Sequence, residues 1–316
     1  MSQESITGTL ARPSVTSDDI IVAFGVDLAY APHLATTLTS IVANAPGAHF
    51  HFMIIHDGIP DTEKRKIEAG AKGQSFHWHE ITDSRVLAFE TRDYISRATY
   101  YRFAIPEFAP AEAKRIIYID SDTVVLADLR ELWHADLGGK PIAAVWDGGI
   151  SATEFADRWQ LPQVELGYFN AGIMVLDLEQ IRAGGLFDQA VSHLQTRWNE
   201  FPWGDQDALN LLFWDNWTRL DPAWNCQRRM LVHLTNAPEY STPEHMRATG
   251  RPKIVHYTEA YKPWLPKAWH PLTWLYFRYL KRTPYWKSVN QNAETTPVKL
   301  LRHFIRTQLT LSRLKS

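Results

Sequence analysis

Lys114-Arg115-Ile116-Ile117-Tyr118-Ile119-Asp120-Ser121-Asp122-Thr123-Val124-Val125 reads as a buried strand that runs out on two acids. Its isoleucines and tyrosine follow one another without polar alternation, the pattern of a parallel-sheet strand covered on both faces. Open α/β sheets take their ligands beyond the carboxyl ends of such strands, where Asp120 and Asp122 fall. Two buried carboxylates repel and are costly to desolvate, so together they stay ionised only around a cation. Oxygen donors suit Mg²⁺ or Mn²⁺, which commonly bridge carboxylates to substrate phosphates. The same residues also make an ordinary Asp-Ser-Asp turn, and the rest of the chain has to decide between the two.

At 316 residues and 45% hydrophobic, the chain can bury the core of one large α/β domain or two small ones. A net charge of -2 gives no global attraction for nucleic acid. The single cysteine, Cys226, excludes an internal disulfide and fits a reducing, cytoplasmic setting. Residues 1–17 are polar, lack the apolar core of a signal peptide and are expected to form a disordered leader; no apolar run is long enough to span a membrane. Neither a GxGxxG nor a GxxxxGK[ST] loop occurs, which argues against dinucleotide enzymes and Walker ATPases.

Upstream, Asp19 to Gly25 reads as a first buried strand, and Pro32 opens a helix through Val42. Between them, a glycine and an acid, Gly25 and Asp27, suit a nucleotide; Asp27 serves equally as a loop residue. His49 to Asp57 is a second strand, Asp61 to Ala71 a helix, and Phe76 to Ile81 a peripheral strand whose His77 and His79 are expected to face solvent, as are His49 and His51. Ser96 to Pro106 reads as a helix stopped by Pro106, with Arg102 among apolar neighbours and therefore in need of an anionic partner. Downstream, Asp128 to Trp133 is a short helix and Pro141 to Asp147 a strand ending in an acid. In Gly167 to Leu178, small residues flank Asn170. Helix Leu186 to Trp198 is ordinary core, and Asp205 is placed to cap the next helix. The strand Pro252 to His256 delivers an imidazole into a loop that carries Lys262, a candidate phosphate contact.

This ordered set resembles glycosyltransferase family 8, which includes bacterial lipopolysaccharide galactosyl- and glucosyltransferases and glycogenin. The resemblance rests on Asp27, Thr99-Tyr100-Tyr101-Arg102-Phe103, Ile119-Asp120-Ser121-Asp122, Tyr168-Phe169-Asn170-Ala171-Gly172, Asp205-Gln206-Asp207-Ala208-Leu209-Asn210, and His256-Tyr257 followed by Pro263-Trp264. It implies an α/β GT-A fold over residues 18–280 with a mostly parallel sheet, a UDP-sugar donor, Mn²⁺ or Mg²⁺, and hexose transfer with retention. Carried over by position, Asp120, Asp122 and His256 would ligate the metal. Asp27, the main chain at Gly25, and Tyr30 would hold uridine, and Lys262 a phosphate. Arg102, Asp147, Asn170 and Asp205 would surround the sugar, with Gln206 beneath the anomeric carbon. Two positions depart from the family: Ala29 replaces a base-contacting Asn, and Glu259 stands where many relatives have a phosphate-facing glycine.

With Gln206 at the position where a nucleophilic carboxylate would stand, the resemblance implies attack by the acceptor hydroxyl on the face that UDP leaves. Residues 281–316 form a basic tail: beyond Glu294 there is no acid, and Lys299, Arg302, Arg306, Arg313 and Lys315 interleave with Leu300, Leu301, Phe304, Ile305 and Leu309. A basic amphipathic helix of this kind suits either an anionic membrane or the protein's own surface. Trp269, Trp274, Tyr276, Phe277, Tyr279, Tyr285 and Trp286 upstream suit an interfacial aromatic belt. A lipid-linked saccharide acceptor, with the enzyme peripheral on the inner face of a membrane, is the expectation. A sugar nucleotidyltransferase and a non-catalytic UDP or glycan binder remain as alternatives.

Overall fold

A computed structural model describes residues 19–89, 96–232, 240, 242–266, 268–294 and 296–313; the expected leader, 1–17, and Lys315 of the tail lie outside them. The strands in chain order are β1 Ile20–Val26, β2 Phe50–His56, β3 Ser75–Glu80, β4 Arg115–Ile119, β5 Thr123–Val125, β6 Ile142–Trp146, β7 Phe169–Asp177, β8 Thr218–Arg219, β9 Cys226–Gln227 and β10 Ile254–His256. Seven of them form one sheet in the order β3-β2-β1-β4-β7-β6-β8, and β5-β10-β9 form a smaller one. In the larger sheet pairing is parallel except at β4/β7 and β6/β7, and in the smaller one β10 runs antiparallel to β5 and parallel to β9.

Strands β1 and β2 are buried at every position, as unbroken apolar runs require. Helix α1, Ala31–Asn44, covers one face, together with the later helix Thr273–Leu280. The other face carries the 3-10 helix Arg97–Ala104 and the helices Leu186–Arg197 and Asp205–Leu212. Successive β1 residues divide between them: Val22 and Phe24 enter one core, Ile21 and Ala23 the other.

Several local expectations change. Pro106 does not stop the helix that carries Arg102. The chain is 3-10 from Arg97 to Ala104, and Pro106 sits in the first turn of a continuing α-turn, Ile105–Phe108, where its missing N–H costs nothing. His77 and His79 do not face solvent: His51 and His77 stack and hydrogen-bond at 3.1 Å, and His79 stacks on Phe108. His51 is buried and only His49 is exposed. Tyr276, Phe277, Tyr279 and Tyr285 belong to the core against α1 and form no aromatic belt.

The tail is a helix, Pro297–Arg313. It docks on the protein, with Leu300 against the core and Thr307 bonded to the Pro271 carbonyl. Val298, Leu301, Phe304, Ile305 and Leu309 stay exposed. No described helix is long and apolar enough to cross a membrane.

Gly25, near the end of β1, admits a backbone neighbour: a Cβ there would lie 2.4 Å from the Ala98 carbonyl oxygen. Replacing it with alanine therefore forces β1 away from the Arg97–Ala104 helix, which should cost about 1–3 kcal/mol. Gly250, with nothing near its missing Cβ, serves as the control. Urea denaturation should show Gly25→Ala markedly destabilised and Gly250→Ala unchanged or slightly more stable.

Candidate functional site

Asp120 follows β4 directly, and its N–H continues the ladder to the Gly172 carbonyl at 2.8 Å. Two residues later β5 pairs antiparallel with β10, setting Thr123 opposite His256. The Asp122 carbonyl accepts from Tyr257 N–H at 3.0 Å. Sheet pairing alone thus brings a distant imidazole to the acidic pair. His256 Nε2 lies 3.2 Å from Asp122 Oδ1 and 3.7 Å from Asp120 Oδ2. Gly172 makes the approach possible, since a Cβ there would stand 2.2 Å from His256 Cε1 and 2.7 Å from Asp120 Oδ2.

A chain of amides fixes the histidine tautomer. Asp147 Oδ2 can only accept, and Asn170 Nδ2 donates to it at 3.1 Å. Asn170 Oδ1 therefore receives Asn225 Nδ2 at 2.8 Å, and Asn225 Oδ1 faces His256 Nδ1 at 3.0 Å. A proton on Nδ1 turns Nε2 toward the two carboxylates, the side on which a divalent cation would be ligated. The donor set of Asp120, Asp122 and His256, with ligating atoms within 4.8 Å of one another, fits Mn²⁺ or Mg²⁺.

The carboxylates also have cationic side chains of the protein beside them, so a metal is not their sole counter-charge. Arg102, 2% exposed, donates to Asp120 Oδ1 at 2.9 Å and to the Ala171 carbonyl, and pairs with Asp205 at 3.1 Å. Tyr118 also donates to Asp120, at 2.7 Å. Lys262 donates to Asp122 and to the Tyr257 carbonyl. Burial opposes charge on Asp122, but Lys262 and His256 together outweigh it and hold the carboxyl far below its ordinary range.

The Asp205-Gln206-Asp207 run divides three tasks. Asp205 is the first helical residue and the cap position is Gly204, so its carboxylate is free to meet Arg102. Gln206 Oε1 accepts from Asn170 Nδ2 and Ala171 N–H, each at 3.0 Å, which holds its amide in the cavity wall. Asp207 accepts from the Tyr168 hydroxyl and the Trp203 N–H, a structural role.

Two cavities meet at Asp120, Asp122 and Lys262. The first, about 170 Å³, is lined by Arg102, Asp147, Asn170, Asp205, Gln206 and His256 among others. The second includes Gly25, Tyr30, Ala98 and Thr99. Asp27 is absent from its lining and caps the turn that follows, accepting from Tyr30 N–H at 2.9 Å. Tyr30 packs edge-on to Trp264. Ala29 is exposed. Glu259 occupies a left-handed conformation, φ 65°, where glycine is at ease, but its carboxylate turns onto Arg229 and Arg228.

The sequence reading missed Asn225, Arg228 and Arg229. The available signals were an amide enclosed between Trp224 and Cys226, and an arginine pair beside a buried strand.

The model of glycosyl transferase family 8 matches residues 21–268. General stress protein A of Bacillus subtilis (strain 168) is 31% identical over 276 residues, covering 84% of this chain and 93% of that protein. Lipopolysaccharide 1,2-glucosyltransferase of Escherichia coli (strain K12) is 28% identical over 274 residues, covering 86% and 80%. The galactosyltransferase LgtC, solved with donor and acceptor sugar analogs, superposes with a TM-score of 0.71 at 22% identity, over 90% of this chain and all of that one. The bifunctional WbbM gives 0.74 at 22% identity, and the chain spans about half of it, 53%. These likenesses establish the GT-A fold.

Burial pushes Asp205 up to about 7, with the Arg102 guanidinium opposing the rise. A carboxyl whose folded pKa exceeds its unfolded one favours folding at low pH and loses that contribution as pH climbs through the folded value. Arg102→Met strips Asp205 of its counter-charge and should cost about 3–5 kcal/mol. The loss should be larger at pH 8 than at pH 5 in urea melts. A pH-independent loss would show that Asp205 does not depend on Arg102 for its charge.

Proposed function

The chain belongs to glycosyltransferase family 8, and from that premise we propose that it moves a hexose, galactose or glucose, from a UDP-hexose donor to a saccharide acceptor with retention of configuration. The observation that carries the reading is the convergence of Asp120, Asp122 and Nε2 of His256 beneath Gly172. A bound Mn²⁺ or Mg²⁺ would neutralise the diphosphate as UDP departs.

The chain's own groups do the remaining work. Lys262 lines both cavities. Its ammonium, held by Asp122 and the Tyr257 carbonyl, would be less tightly held were Asp122 also to ligate a divalent ion, and could then meet a phosphate oxygen. Gly25, Tyr30 and the Ala98-Thr99 backbone would hold uridine, with Asp27 shaping the turn beneath. Asp205, 3% exposed and paired with Arg102, is tied up as a counter-ion. Gln206, neutral and held by two hydrogen bonds, presents a dipole to the anomeric carbon and no nucleophilic carboxylate. The acceptor hydroxyl therefore attacks on the face that UDP leaves. Arg102, Asp147 and Asn170 orient the sugar.

The acceptor is a lipopolysaccharide or another lipid-linked saccharide. The Escherichia coli relative's name supports this, as does the exposed row Val298, Leu301, Phe304, Ile305 and Leu309 beside Arg302 and Arg306. Such a face suits an anionic membrane surface and a cytoplasmic enzyme peripheral on the inner leaflet. Residues 18–280 would form the catalytic unit and 281–316 the tail.

Incubation with UDP-glucose or UDP-galactose and Mn²⁺ should release UDP slowly, and EDTA or Asp122→Ala should stop it. Release at wild-type rate from Asp122→Ala would overturn the reading. A binder without catalysis would hold UDP and release nothing, and a nucleotidyltransferase would instead form UDP-sugar from UTP. Asn225→Leu should raise the Mn²⁺ concentration for half-maximal rate about 10–100-fold with little change in the rate at saturating metal.

A further inference from the structure

A second concave region, about 490 Å³, lies between the helix Pro297–Arg313 and the segment around Trp269. Lys299, Arg302, His303 and Arg306 line it with Trp269, and among the described residues no carboxylate does. It is held open by backbone contacts: Lys299 Nζ donates to the Pro266 and Ala293 carbonyls at 2.9 Å each, and Thr307 ties the helix to Pro271. Lys299, Arg302 and Arg306 bring positive charge to it, and burial and then the charges of Lys299 and Arg306 push His303 below its ordinary pKa.

This region joins the catalytic cavity along a row of arginines and flat rings. The Arg306 guanidinium stacks 4.0 Å from the Trp269 ring centre. Arg228 donates to the Trp269 carbonyl at 3.3 Å, lies 3.9 Å over Tyr261, and reaches Glu259 at 3.8 Å. Arg229 holds the other side of Glu259 and lines the catalytic cavity. Guanidinium groups match phosphate and aromatic faces match sugar rings.

We propose, resting on the transferase reading, that this basic cavity binds a phosphate group carried by the acceptor saccharide, whose sugar chain runs past Trp269 and Tyr261 to the catalytic cavity. The donor diphosphate belongs at the opposite end, beside Asp120, Asp122 and Lys262. Without metal, that end carries a surplus of carboxylates and repels anions, so the two phosphate positions can be probed apart.

Inorganic pyrophosphate is titrated into the full chain in EDTA by calorimetry. The wild type should show one site, weakened about tenfold or more in Arg302→Gln/Arg306→Gln, as loss of charge-assisted hydrogen bonds demands. UDP release from UDP-hexose with Mn²⁺ should be unchanged in that variant. Absence of a site, or equal binding by the variant, overturns the proposal. A lipid headgroup offers the same chemistry, so sedimentation with phosphatidylglycerol vesicles separates the sources. Vesicle binding should fall in Leu301→Ser/Ile305→Ser and persist with pyrophosphate present. Displacement of vesicles by pyrophosphate would assign the cavity to a headgroup and overturn the acceptor assignment. Failure of UDP release in the wild type would sink the transferase reading, while the titration still reports on the cavity.

Discussion

The site is organised by the approach of one imidazole nitrogen to two carboxylates, an arrangement set by the backbone pairing around it. His256 Nε2 sits within 3.2 Å of Asp122 Oδ1 with its proton committed to Asn225 on the other side of the ring. Three features enforce it: the β5/β10 pairing brings the residues together, Gly172 leaves out the side chain that would separate them, and the amide chain from Asp147 prevents the ring from relaxing by tautomer exchange. Each alone would be unremarkable. Together they build a metal-ready geometry from the backbone outward, and they explain why Asp147 and Asn170, which touch no metal ligand of the carboxylate pair, belong to the same unit.

Charge is managed by the same economy of position. Arg102 serves Asp120 and Asp205 while its aliphatic stem and guanidinium lie over Tyr118, 4.3 Å from the ring centre. Lys262 serves Asp122 and sits where both cavities meet. A buried arginine cannot shed its proton, so Arg102 is a permanent counter-ion, whereas lysine holds a rotatable point charge and can exchange partners. The division between a fixed and a movable cation follows from the residue types, and it places the movable one where the two cavities meet.

What the sequence disclosed depended on whether a signal was local. The run Ile116 to Ile119 announced a two-face-covered strand because burial on both sides erases alternation, and the acids at its end were legible for the same reason. The Ser96 to Pro106 segment misled because a 3-10 helix and an α-helix share composition, and Pro106 is as well suited to opening a turn as to ending one. His77 and His79 were misplaced because a covered edge strand has the same polar-apolar alternation as an exposed one. Asn225 carried no motif at all: its importance arises from neighbours at Asn170 and His256, which only the fold supplies. The family resemblance pointed to residues that line the cavities, Asp27 excepted, but gave Asp205 and Gln206 no geometry. Their division into counter-ion and cavity wall comes from the register of one helix against β7.

Glu259 shows how a departure from the family pattern can be absorbed. A non-glycine residue in the left-handed region costs about 1–2 kcal/mol, and a carboxylate near a diphosphate would repel it. The carboxylate is paired with Arg229 and Arg228, which offset its charge. Those two contacts oppose the backbone strain. They also convert what would be a mobile glycine turn into a fixed strut between the wall of the catalytic cavity and the Trp269 segment on which the C-terminal helix rests. Through these contacts Glu259 ties the wall of the cavity to the C-terminal helix, so this position belongs with the tail and its arginines.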